Sequence, residues 1–131
     1  MRKELWNYEI ELDDASNRFS LKAETLVPRN WIISLSEGIM KKIAWIKGIK
    51  VNEEELEKSR NIFKLVREDE NFKKEWLQNL EKHGILNELI DKVAKNINAY
   101  FYDYTIDDLD FEDKGDVIKV KVVINGSFWQ N

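Results

Sequence analysis

The chain has 131 residues, 43% of them hydrophobic and 35% charged, with a formal net charge of −4. That length supports one hydrophobic core and a single domain over residues 1–131, and five Trp, four Tyr and six Phe supply ample apolar area to offset chain entropy. The lack of cysteine excludes disulfides, thiolate metal sites, iron–sulfur clusters and cysteine nucleophiles, while the acidic balance repels polyanions and argues against nucleic acid as a partner.

The start MRKELWNYEIEL is too charged for a secretion signal, and no window reaches the roughly 18 apolar residues of a spanning helix. The expectation is a soluble, cytoplasmic protein with no membrane contact. Within that start, Trp6, Tyr8, Ile10 and Leu12 alternate with Asn7, Glu9 and Glu11, the period of a half-buried strand. DDASN forms a loop, and RFSLKAETLV follows as the second strand of a hairpin, with Phe19, Leu21, Ala23 and Thr25 on one side. Pro28 ends that strand, and Asn30 is placed to cap a helix beginning at Trp31, whose stripe is Ile32, Leu35, Ile39, Ile43 and Ile46. Gly48 stops it. Asn52 followed by Glu53, Glu54 and Glu55 starts another helix, with Leu56, Ile62, Phe63 and Val66 behind it. A further helix opens near Asp69, presents Phe72, Trp76, Leu77 and Leu80, and closes at His83-Gly84. A last one carries Leu86, Leu89, Ile90, Val93, Ala94 and Ile97.

In AYFYDYTIDDLDFEDKGD the period becomes two: Tyr100, Tyr102, Tyr104 and Ile106 are expected inside, with Phe101, Asp103 and Thr105 outside. Leu109 and Phe111 continue out of phase, which predicts a β-bulge at Asp107 or Asp108. EDKGD is a turn, and Ile118, Val120, Val122 and Ile124 then alternate with Lys119 and Lys121, completing a second hairpin. Asn125-Gly126 reads as another turn, leaving SFWQN as a short edge segment. The fold class is thus α+β: an N-terminal hairpin, three to four central helices and a C-terminal hairpin. The two hairpins form one antiparallel sheet packed on the helices.

Asp108, Asp110 and Glu112 have the alternate spacing of a calcium loop, but neither register supplies both the glycine at loop position six and the glutamate at twelve. No metal is assigned. His83 sits where a helix-terminal histidine meets free carbonyls, no serine lies in a nucleophile elbow, and no phosphate loop or dinucleotide fingerprint occurs, so no catalytic residue or cofactor is named. Two surfaces remain as candidates for a protein partner, either a second copy or another chain. One is apolar: Trp31, Met40, Trp45 and Ile49, off the main stripe of their helix, with Phe128 and Trp129 near the C-terminus. The other is the acidic hairpin, Asp107, Asp108, Asp110, Glu112 and Asp113, which also reads as a solvated face paired with Lys119 and Lys121.

The function these features suggest is non-catalytic protein interaction or assembly, the profile of a small acidic accessory protein, inhibitor or phage-type viral factor. The alternative is a small-ligand binder or enzyme with an aromatic pocket between sheet and helices, lined by Trp6, Tyr8, Tyr100, Tyr102 and Tyr104.

Overall fold

The computed structural model describes residues 6–48 and 61–130. In chain order the elements are β1 (Asn7–Asp13), β2 (Arg18–Pro28), α1 (Arg29–Ile46), α2 (Ile62–Glu68), α3 (Glu70–Lys82), α4 (Ile85–Ile97), β3 (Ala99–Asp113) and β4 (Val117–Gln130). The two terminal hairpins join through β2 and β4 into one antiparallel sheet of order β1-β2-β4-β3, so the expected α+β architecture is the one observed. The β2–β4 seam runs unbroken from Arg18↔Ser127 to Pro28↔Val117 and binds the two ends of the chain together.

Local chemistry sets the helix ends. Asn30 makes no cap; α1 starts directly after Pro28, and the Arg29 N–H donates instead to the Asp116 carbonyl, 2.9 Å away in the β3–β4 turn. A tertiary acceptor thus replaces the local one. Gly48 lies beyond the end of α1 at φ 71°. α3 opens at Asp69 as expected, and Asp69 caps it by accepting from the Phe72 N–H at 3.1 Å; α3 ends at His83 before Gly84 at φ 73°. The expected helix start at Asn52, with Glu53, Glu54, Glu55 and Leu56, lies outside the described residues.

The helices cover one face of the sheet. Phe19 and Leu21 of β2, Phe101, Leu109 and Phe111 of β3, and Val120, Ile124 and Phe128 of β4 are buried against Ile32, Ile39, Val66, Phe72, Trp76, Leu89 and Val93. Trp76 is the centre of this layer. Its ring meets Phe111 edge-on at 5.2 Å, and its indole N–H donates to Ser36 Oγ at 3.1 Å, which satisfies two polar groups that burial would otherwise penalise.

The expected turn at Asn125-Gly126 is absent: β4 continues through both residues to Gln130. The glycine serves its neighbour strand. Tyr102 pairs with Ser127 and Thr105 with Asn125, so Asp103 and Tyr104 both oppose Gly126. Asp103 takes the left-handed φ of 49° that opens such a bulge, and a Cβ on Gly126 would lie 2.6 Å from Tyr104 Cβ. A second irregularity follows at Asp107, between the pairs Ile106↔Ile124 and Asp108↔Val123, where the sequence predicts one.

Candidate functional site

Each bulge inverts the side-chain phase of what precedes it. The bulge at Asp107 puts Ile106 and Tyr104 on the helix side, as expected, but the additional one at Asp103–Tyr104 inverts β3 again. Phe101 therefore turns inward and stacks on Phe19 at 4.3 Å, while Tyr100 and Tyr102 face away from the helices. This corrects the expected inner placement of those two tyrosines.

The proposed pocket of five aromatic rings consequently does not assemble. Trp6 is core, Tyr8 reaches α4 through its hydroxyl, which accepts from Asn96 Nδ2 at 2.9 Å, and Tyr104 borders a separate cleft with Glu81, Leu86, Asn87, Ile106 and Ile124. On the uncovered face Tyr100 lies 6.2 Å from Tyr102, and Tyr102 lies 5.6 Å from Trp129, centroid to centroid. Tyr100 and Trp129 remain 60% and 61% exposed. Three large rings in contact on a helix-free sheet surface form an apolar patch flanked by Arg18, which donates to Ser127 Oγ at 3.1 Å in the row of Tyr102. Phe128, expected to be exposed beside Trp129, is buried, because the strand alternation that turns Trp129 outward turns its neighbour into the core.

The remaining apolar candidates differ in exposure. Met40 packs partly against the core, and Trp31 lies edge-on to Trp76 at 6.2 Å while 43% of its surface stays exposed. Trp45 stays 81% exposed at the end of α1, with Ile46 exposed beside it. Ile49 lies outside the described residues.

Every carboxylate of the acidic hairpin has an intramolecular partner. Asp107 accepts from Asn125 Nδ2 and, at 2.8 Å, from the Thr105 hydroxyl; these two bonds, Asn125 first, hold its carboxyl below the usual range. Asp108 pairs with Lys73 at 3.2 Å and Asp110 with Arg67 at 2.8 Å, both cations reaching the strand from helices. The same carboxylates accept the N–H groups of Leu109 and Phe111, each at 2.9 Å. Glu112 faces Lys114, Lys121 and Lys119 at 3.2, 3.6 and 3.7 Å, and the Lys114 bond is the main cause of its lowered pKa. Asp113 accepts from Arg29, which lowers its pKa and ties the start of α1 to the hairpin tip. Arg29 also lies 5.7 Å over the Phe63 ring. These charges shape the hairpin and its edge.

Two shallow depressions on the uncovered face, of about 400 and 480 Å³, are bordered by charged side chains such as Glu9, Lys22, Glu24 and Lys121 in one and Glu11, Arg18 and Asp107 in the other. Among the described residues, no group of three or more His, Asp or Glu side chains is placed to hold a metal ion, and no helix is long and apolar enough to cross a membrane. No family model, curated protein or solved structure matches the chain.

Proposed function

We propose that this protein is a non-catalytic docking module that binds a protein partner through the uncovered face of its sheet, with Tyr100, Tyr102 and Trp129 as anchors. The observation that carries this reading is the contact of these three rings with one another while Tyr100 and Trp129 each keep more than half of their surface in water. Tyrosine and tryptophan dominate interface energetics because each buries a large area at the cost of few torsions and keeps a polar tip for a directional bond. Exposed Trp45 on α1 is a secondary anchor on the opposite layer.

Base stacking on the same rings is disfavoured by charge. The carboxylates of Glu9, Glu11, Asp13, Glu24, Asp108, Asp110 and Glu112 outnumber Arg18, Lys22, Lys119 and Lys121 on that face, so a phosphate backbone would be repelled. A second copy of the chain remains a candidate partner beside a different protein. The experiment is a comparative pull-down from native lysate, with sedimentation of the purified chain, for wild type and Tyr100→Ala/Trp129→Ala. A species enriched by wild type, or a self-associated form, that is lost in a folded double variant supports the proposal. Identical profiles for the two proteins refute it.

A further inference from the structure

The sheet has two edges, and they are built differently. The β3 edge is obstructed by two bulges, by carboxylates bonded to the N–H groups of Leu109 and Phe111, and by Arg67 and Lys73 reaching over from the helices. These are the devices that prevent an edge strand from recruiting another chain. Among the described residues, β1 has none of them. Its seven residues pair with β2 in continuous register, contain no proline, lysine or arginine, and take no positive φ. Among the described residues, no hydrogen bond from outside β2 reaches its main chain.

We propose that β1 is a receptor edge that takes up an extended partner segment of alternating apolar and basic residues as a fifth strand. This concerns the edge of the sheet and goes beyond the docking face proposed above. The chemistry of the occupant follows from a pairing already present in the fold. On the outer face of β3, Asp110 and Glu112 stand opposite Lys121 and Lys119 of β4, Glu112 is in ion pairs with both lysines, and Val120 between the lysines and Val122 beyond them are apolar and buried. β1 repeats the acidic half of that pattern: Glu9 and Glu11 have the same two-residue spacing, with Lys22 and Ser20 of β2 opposite them, and among the described residues neither glutamate is in an ion pair. On its other side Tyr8 and Ile10 are only half-buried and Leu12 is 37% exposed, so an added strand would cover apolar surface there while its cations meet the glutamates. A second copy fits poorly, because antiparallel self-pairing centred on Ile10 sets Glu9 against Glu11 of the other chain.

The test uses the full chain and a capped seven-residue peptide of alternating valine and lysine, followed by hydrogen exchange and titration. Slowed exchange confined to β1, binding weakened by salt, and no binding of the valine–glutamate peptide are the expected results. Glu9→Lys/Glu11→Lys should lower affinity for the lysine peptide about tenfold and admit the glutamate peptide. Tyr100→Ala/Trp129→Ala should bind the lysine peptide unchanged, so failure of the docking-face proposal is read separately. Absence of protection in β1 at millimolar lysine peptide, equal binding of both peptides by wild type, or a free chain that already dimerises through β1 would overturn the proposal.

Discussion

Replacing Gly126 with alanine would place a methyl carbon 2.6 Å from Tyr104 Cβ, 2.7 Å from Tyr104 Cα and 2.9 Å from Phe19 Cε1. Carbon atoms rest at about 3.5–4.0 Å, so the overlap is near 1 Å, and one of the atoms met is main chain held in the β3–β4 ladder. Overpacking of this kind costs about 1–3 kcal/mol, and the backbone contact puts Gly126→Ala near the upper end. With an unfolding entropy of about 2.1 cal/mol/K per residue over 131 residues, a loss of about 3 kcal/mol lowers the thermal midpoint by about 11 °C. Gly38 provides the control, because in α1 its added Cβ meets nothing within 4 Å. Gly38→Ala should therefore stabilise by about 0.5–1 kcal/mol through helix propensity alone, raising the midpoint by a few degrees. Calorimetry or circular dichroism melts read both. A Gly126→Ala midpoint within a degree of wild type, or two substitutions of the same sign, would refute the bulge opposite Gly126 and with it the outward placement of Tyr100 and Tyr102.

Ser36→Ala leaves the buried Trp76 indole N–H without its acceptor and should cost about 1–3 kcal/mol in urea denaturation, a loss out of scale with the one oxygen removed. Asp108→Ala/Asp110→Ala strips the caps from the Leu109 and Phe111 N–H groups; both amides should exchange faster in NMR, and light scattering should rise on concentration. Asp107, Glu112 and Asp113 have pKa values lowered in the folded state, chiefly by bonds from Asn125, Lys114 and Arg29 respectively. The folded state then binds fewer protons than the unfolded one, so their contribution is present above the unfolded carboxylate range of about pH 4 and is lost as pH falls through the lowered values. The urea midpoint should hold between pH 7 and about 5 and decline below that, with a shallower decline for Asp107→Asn/Glu112→Gln/Asp113→Asn; exposure and salt keep the effect small.

The hairpins and most helix ends were legible because each rests on a local rule. Alternation in WNYEIEL and FSLKA, Asp69 before a helical stripe and glycine after His83 need no knowledge of distant residues. The candidate site was less legible because it depends on register between strands. One bulge is visible where Ile106 and Leu109 fall out of phase, but a second three to four residues before it restores the phase, and the tyrosine run hides it. The signals were Phe101, the one ring in AYFYDY without a hydroxyl, Asp103 as a residue tolerant of positive φ, and a glycine inside the strand opposite. Asn125-Gly126 misled for the same reason: glycine serves equally at a turn and under the close approach of a neighbouring strand. The ion pairs from Arg67 and Lys73 to the hairpin bridge 43 and 35 residues and carry no local signature at all.

Hydroxyl-radical footprinting of the native protein, read by mass spectrometry, tests the outward aromatic face most directly. Tyr100 and Trp129 should be oxidised at rates close to those of the exposed Trp45, with Phe101, Phe128 and Trp76 protected. Rapid labelling of Phe101 and Phe128 together with protection of Tyr100 and Trp129 would contradict it.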